Sequence, residues 1–79
     1  MNLAQAVAKR IAELLKKQNK TQYKLIKETC LDKSTIQNIM KNRTKDVKIS
    51  TLFLIADFFH MTISEFTNTP YFSKQNIDI

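Results

Sequence analysis

"ETCLDKSTIQNIM", residues 28–40, sets small polar residues between two apolar runs and contains no glycine. One helical pattern fades here and another starts within about four residues, which reads as a tight turn between two helices. Asp32 supplies the start signal. A carboxylate at the N-cap suits the free amides and the positive end of a helix dipole. Beyond it, "KSTIQNIMK" places Ile36, Ile39 and Met40 on an inward face and Lys33, Ser34, Gln37 and Asn38 outward. Asn42 ends this helix, since asparagine tolerates the left-handed conformation common after a helix C-terminus.

Working outward from that turn, the preceding segment "QYKLIKET" is about two helical turns long, capped by Thr21, with Leu25 and Ile26 inward. Upstream, Asn2 caps a first helix whose Leu3, Val7, Ile11, Leu14 and Leu15 fall at helical spacing. Its Lys9, Arg10, Glu13, Lys16 and Lys17 turn outward. Downstream, "RTKDVK" is a polar basic loop before a fourth helix from Ile49 or Ser50 to Phe59, with His60 just past it. Thr62 and Glu65 form a capping box that opens a short fifth helix, reaching Phe66 to Asn68 before Pro70 stops it. The expected architecture is all-α: a five-helix domain over residues 1–68 and a C-terminal tail, 69–79, that is either disordered or part of an interface.

Composition agrees. With Gly 0 and Pro 1 in 79 residues, the turns that a sheet would need are missing. Hydrophobic residues at 43% and charged residues at 25% suit one small folded domain. A core this small is marginal, and pairing with a second copy would bury more apolar surface. The one cysteine excludes an internal disulfide and points to a reducing cytoplasm. The apolar run "LFLIADFF", 52–59, is too short to span a bilayer, and no secretion signal opens the chain.

The net charge is +6, unevenly spread. Residues 1–48 carry 12 basic and 4 acidic side chains, giving +8, whereas 49–79 come to −2. One half is therefore suited to a polyanion and the other to protein contacts. A lone histidine and a lone cysteine cannot build a zinc site or a Cys–His pair, the carboxylates are scattered, and a phosphate loop needs glycine. Neither an enzyme nor a cofactor is expected.

The stretches "RIAELLKKQNKTQYKL", "LDKSTIQNIMKNRTK" and "STLFLIADFFHMTISEF" together resemble the Xre-type, phage Cro/repressor-like helix-turn-helix domains, over Arg10 to Phe66. The resemblance implies a lambda-repressor-like fold with the third helix, about 33–41, in the major groove. It puts Lys33, Ser34, Gln37 and Asn38 against base edges, where lysine suits guanine and Asn or Gln suits adenine. Thr21 and Gln22 at a helix N-terminus, with Lys41, Asn42, Arg43, Lys45 and Lys48 beyond the third helix, would hold phosphates. The implied function is a transcription regulator that binds double-stranded DNA as a homodimer, a repressor first and an activator second, of prophage or chromosomal origin. An antitoxin-like module and a peripheral membrane binder are the alternatives, the latter disfavoured by an alanine-rich first helix.

Three positions depart from the family pattern: Cys30 replaces the turn glycine, Ile26 an alanine, and Lys20 an apolar residue. The family register gives Cys30 a positive φ, costly for a residue with a Cβ. Helix four, apolar on more than one side, suggests burial on two sides. Phe58, with Phe66 or the Tyr71–Phe72 pair, is then expected at a homodimer interface, unless the tail folds back over its own core.

Overall fold

The computed structural model describes residues 1–78. Its elements are α1 (Leu3–Lys17), α2 (Gln22–Thr29), α3 (Lys33–Met40), α4 (Ile49–Phe58), α5 (Ile63–Thr67) and a 3₁₀ turn at Pro70–Phe72. Among the described residues there is no strand. Each helix contributes its apolar stripe to one core. Val7, Ile11, Leu14, Leu25, Ile36, Ile39, Ile55, Phe59 and Phe66 are all essentially closed to solvent. Helix α1 packs on α3, α2 on α4, α4 on α5, and the 3₁₀ turn on α1.

The helix starts follow their caps. Asn2 Oδ1 accepts from the Gln5 amide at 2.8 Å, and Gln5 Oε1 accepts from the Asn2 amide at 2.9 Å. Thr21 Oγ1 accepts from Lys24 at 3.2 Å. Thr62 and Glu65 close their box at 3.1 and 2.9 Å. Asp32 differs from expectation: it occupies the N-cap position but its side chain accepts no capping bond. Its carboxylate stays exposed and acts only as a charge at the helix start.

The helix ends show how a chain without glycine turns corners. Asn19, Cys30, Asn42 and His60 all have φ between 54° and 60°. After α1, α3 and α4 the chain closes the two bonds of a Schellman motif. Lys20, Arg43 and Met61 donate to Leu15, Asn38 and Ala56 at 2.8, 2.8 and 3.0 Å. The turn from α2 to α3 uses a different fastening. Buried Thr29 donates its hydroxyl to the Leu25 carbonyl at 2.6 Å and accepts from the Leu31 amide at 3.4 Å. This side-chain clasp holds the turn that Cys30, at φ 59°, ψ 19°, makes at a steric cost.

Cys30 is exposed, so no packing offsets that cost. A left-handed residue with a Cβ costs roughly 1–2 kcal/mol, partly balanced by the extra unfolded-state entropy of glycine, roughly 0.5–1 kcal/mol. Cys30→Gly is therefore expected to stabilise the fold by about 0.5–1 kcal/mol, a rise of roughly 4 °C in thermal midpoint. A lower midpoint in a circular-dichroism melt would mean that the thiol is packed.

Two cations are structural: Arg10, expected in solvent, and Lys20, which stands at an otherwise apolar position. Arg10 donates from Nε to the Phe66 carbonyl at 2.7 Å and from Nη2 to the Glu65 carbonyl at 3.1 Å. Its Nη1 lies 2.6 Å from Glu13, holding that carboxyl below its usual range. Lys20 places Nζ 3.2 Å from the Phe58 carbonyl and 4.6 Å from the Phe58 ring centroid. A long side chain thus covers the apolar patch with its stem and caps the end of α4 with its charge, which explains a lysine at an otherwise apolar position.

The tail returns along α1. Phe72 lies 6.1 Å from Phe66, and the Tyr71 hydroxyl donates to Glu13 at 3.1 Å. The amino terminus meets Asp78 at 3.2 Å. These contacts fit the alternative in which the tail folds back over its own core, and they leave Phe58 and Phe66 no free surface for an interface. Phe58 and Phe66 are buried within the chain, and Tyr71 and Phe72 pack against it. On α4, Phe58 shares the inward arc with Thr51, Leu52, Ile55 and Ala56, so it is a core residue rather than part of a second apolar side.

Candidate nucleic-acid interface

Helix α3 is divided cleanly along its length. Ile36 and Ile39 point into the core, while Lys33 and Ser34 are exposed and Gln37 and Asn38 half-buried. The four polar residues fall at i, i+1, i+4 and i+5, which gathers them on one face. Their side chains take no part in the hydrogen bonds or ion pairs among the described residues, so their donors and acceptors face outward unspent. Lysine, serine, glutamine and asparagine offer in this order a cation, a hydroxyl and two bidentate amides, a set matched to base edges.

Thr21 caps the first turn of α2, with Gln22 exposed beside it. The Thr21 hydroxyl accepts from Lys24 but still has a proton to donate, and the first amides of the helix lie open to an anion. Past α3, Lys41, Asn42, Arg43, Lys45 and Lys48 are all exposed. This basic loop is anchored rather than loose: the Ala4 amide donates to the Lys45 carbonyl at 3.1 Å, and Thr44 Oγ1 donates to the Asp46 carbonyl at 3.2 Å. Asn42 spends its backbone freedom on the left-handed turn, leaving its amide side chain on the surface. Asp46 is an exposed acid in the loop, and it offsets part of the local charge.

Sequence reasoning passed over Tyr23. It is 73% exposed in the first turn of α2, with Lys27 Nζ 6.0 Å from its ring centroid. Its signal was legible as an aromatic between Gln22 and Lys24, off the Leu25 stripe. Among the described residues no group of His, Cys, Asp and Glu is arranged to hold a metal ion. No helix is long and apolar enough to cross a membrane.

Two short helices joined through Cys30, Leu31 and Asp32, the second with a bare polar outer face, make this a helix-turn-helix domain within an all-α fold. Comparison with known families agrees: the helix-turn-helix family profile matches residues 11–66, well over half of the 79-residue chain. The chain belongs to the helix-turn-helix family, whose members are DNA-binding regulators rather than enzymes. No curated protein and no solved structure matches it.

Proposed function

We propose that this chain regulates transcription by sequence-specific binding to double-stranded DNA in the cytoplasm, as a homodimer with one α3 in each of two successive major grooves. The observation that carries this reading is the outward face of α3: four polar side chains with no partner in the fold, flanked by an anchored basic loop. Lys33, Ser34, Gln37 and Asn38 read base edges. Thr21, Gln22, Lys41, Asn42, Arg43, Lys45 and Lys48 hold phosphates and set the register. A domain occupying the groove excludes other proteins from it, which makes repression the simplest mode of action. A two-fold dimer calls for a near-palindromic site with half-sites about 10 bp apart.

Selection of bound sequences from random duplexes tests this directly. Asn38→Ala is expected to relax preference at one base position per half-site, costing about 1–3 kcal/mol on the selected sequence and little on random DNA. Arg43→Ala should weaken both alike. If the two variants lost affinity equally on both kinds of duplex, α3 would not be the reading element.

A further inference from the structure

Thr29 and Thr51 are the two buried polar residues among those described, each 8% exposed. Thr29 spends its hydroxyl on the turn between α2 and α3. Thr51, in the first turn of α4, takes part in no hydrogen bond among the described residues, although a valine would fill the same volume without desolvating a hydroxyl. No fully enclosed side-chain oxygen or nitrogen among these residues lacks a partner, so the Thr51 hydroxyl must open onto a space. That space is a cleft of about 240 Å³ between α3 and α4, lined also by Thr35, Asn38, Thr44, Asp46 and Lys48.

We propose that this cleft binds a small phosphate monoester, with the terminal phosphoryl oxygens on the Thr51 hydroxyl and the first amides of α4. The effect on duplex binding rests on the DNA reading above; the site itself does not. The start of α4 is open. Its N-cap, Lys48, makes no side-chain capping bond, no acid stands in the first turn, and the Leu52 amide is the first to find an acceptor, the Lys48 carbonyl at 2.9 Å. The amides of Ile49, Ser50 and Thr51 are therefore unspent at the positive end of the helix dipole. Lys48 adds an exposed cation without an ion pair. Thr51, recessed among them, supplies a hydroxyl proton with nothing else to donate to.

Size and charge narrow the occupant. Pockets for drug-sized ligands hold about 300–1,000 Å³, so this cleft takes something smaller. A recessed hydroxyl admits the terminal group of a monoester more readily than a diester flanked by two sugars in a duplex. Asp46 is exposed on the rim and repels a second anionic group, but its carboxylate accepts hydrogen bonds. The remainder of the ester is therefore neutral and carries hydroxyls. Asn38 belongs both to this cleft and to the proposed reading face. A phosphoryl group with a charge of about −1.5 to −2, seated between Asn38 and Lys48, neutralises a cation that holds the duplex and repels its backbone. Ligand and duplex accordingly oppose each other.

Amide NMR of the isotope-labelled full chain, titrated with inorganic phosphate and then glycerol phosphate at constant ionic strength, is the test. The backbone amides of Ile49, Ser50 and Thr51 and the side-chain amide of Asn38 should shift together and saturate, and stay in place when chloride is added instead. Glycerol phosphate should saturate them at the lower concentration. Thr51→Val should raise the half-saturation point about tenfold, the worth of one hydrogen bond to a charged group, with unchanged melting. Asp46→Asn should lower it for inorganic phosphate. In duplex titrations at the same ionic strength, glycerol phosphate should weaken wild-type binding several-fold and Thr51→Val binding hardly at all. Shifts that grow linearly and spread over every exposed lysine report screening alone and overturn the proposal. So does a Thr51→Val variant that binds phosphate like wild type. Should Thr51→Val weaken duplex binding with no phosphate present, while free phosphate moves none of these signals, the seat belongs to the duplex backbone. The small ligand is then refuted and the DNA reading stands. A chain that binds phosphate here yet binds no duplex would sink the DNA reading and leave the site standing.

Discussion

Phe66→Ala is expected to remove about 3–5 kcal/mol of stability, the usual cost of deleting a buried phenylalanine side chain and leaving its cavity. Phe66 has no exposure and joins three parts of the molecule. Its ring stacks on Phe59 at 6.4 Å, meets Phe72 of the tail at 6.1 Å and lies under the Arg10 guanidinium at 5.9 Å. Its carbonyl accepts from Arg10 at 2.7 Å. A domain of 79 residues has only about 4–12 kcal/mol to lose at 0.05–0.15 kcal/mol per residue. The thermal midpoint should therefore fall by roughly 15–30 °C, or the cooperative transition should vanish. Phe72→Ala, at a partly exposed ring, should cost less. An interface role for Phe66 makes the opposite forecast, a folded and stable monomer.

That contrast shows where the sequence was readable. Periodicity and caps placed every helix, because Asn2, Thr21 and Thr62 carry their signals within four residues. The polar face of α3 was equally legible, since a two-turn helix with Ile36 and Ile39 inward leaves little choice for the rest. The left-handed geometry at Cys30 followed from the family register and is present at φ 59°. What escaped were long-range pairings. Nothing near Arg10 in the chain indicates that its guanidinium reaches the carbonyls of Glu65 and Phe66, more than fifty residues away. Lys20 is legible only as a departure from an apolar family position, and its purpose shows once α4 ends beneath it. The apolar excess of α4 is visible in the sequence, but Phe58 falls on the buried side rather than on a second one. Phe58 lies within the buried arc and Phe53 outside it, and only the packing of α2 and α5 on α4 decides which arc is covered.

Duplex binding is expected to fall about 10²–10⁴-fold between 50 and 200 mM monovalent salt, given four to eight phosphate contacts per dimer and a slope of about −0.9 per contact. The structure narrows which charges deliver that slope. Of the basic residues in the first 48, Arg10 is committed to α5 and Glu13, Lys20 to the end of α4, and Lys24 to Glu28 at 3.7 Å. Lys9 lies 5.9 Å from the Tyr71 ring centroid, against the tail. Lys16, Lys17, Lys27, Lys33, Lys41, Arg43, Lys45 and Lys48 are exposed and without an ion pair, and the five from Lys33 onward lie on or just beyond α3, few enough to match two to four contacts per protomer. Fluorescence titrations at a series of salt concentrations separate the two groups. The Lys41→Ala, Arg43→Ala and Lys45→Ala triple variant should lose most of the slope, because each removed contact lowers it by about one unit and counts twice in a dimer. Lys9→Ala should leave it unchanged. A steep slope retained by the triple variant, or a shallow one in Lys9→Ala, would move the polyanion surface off the α3 edge and onto the tail side of α1.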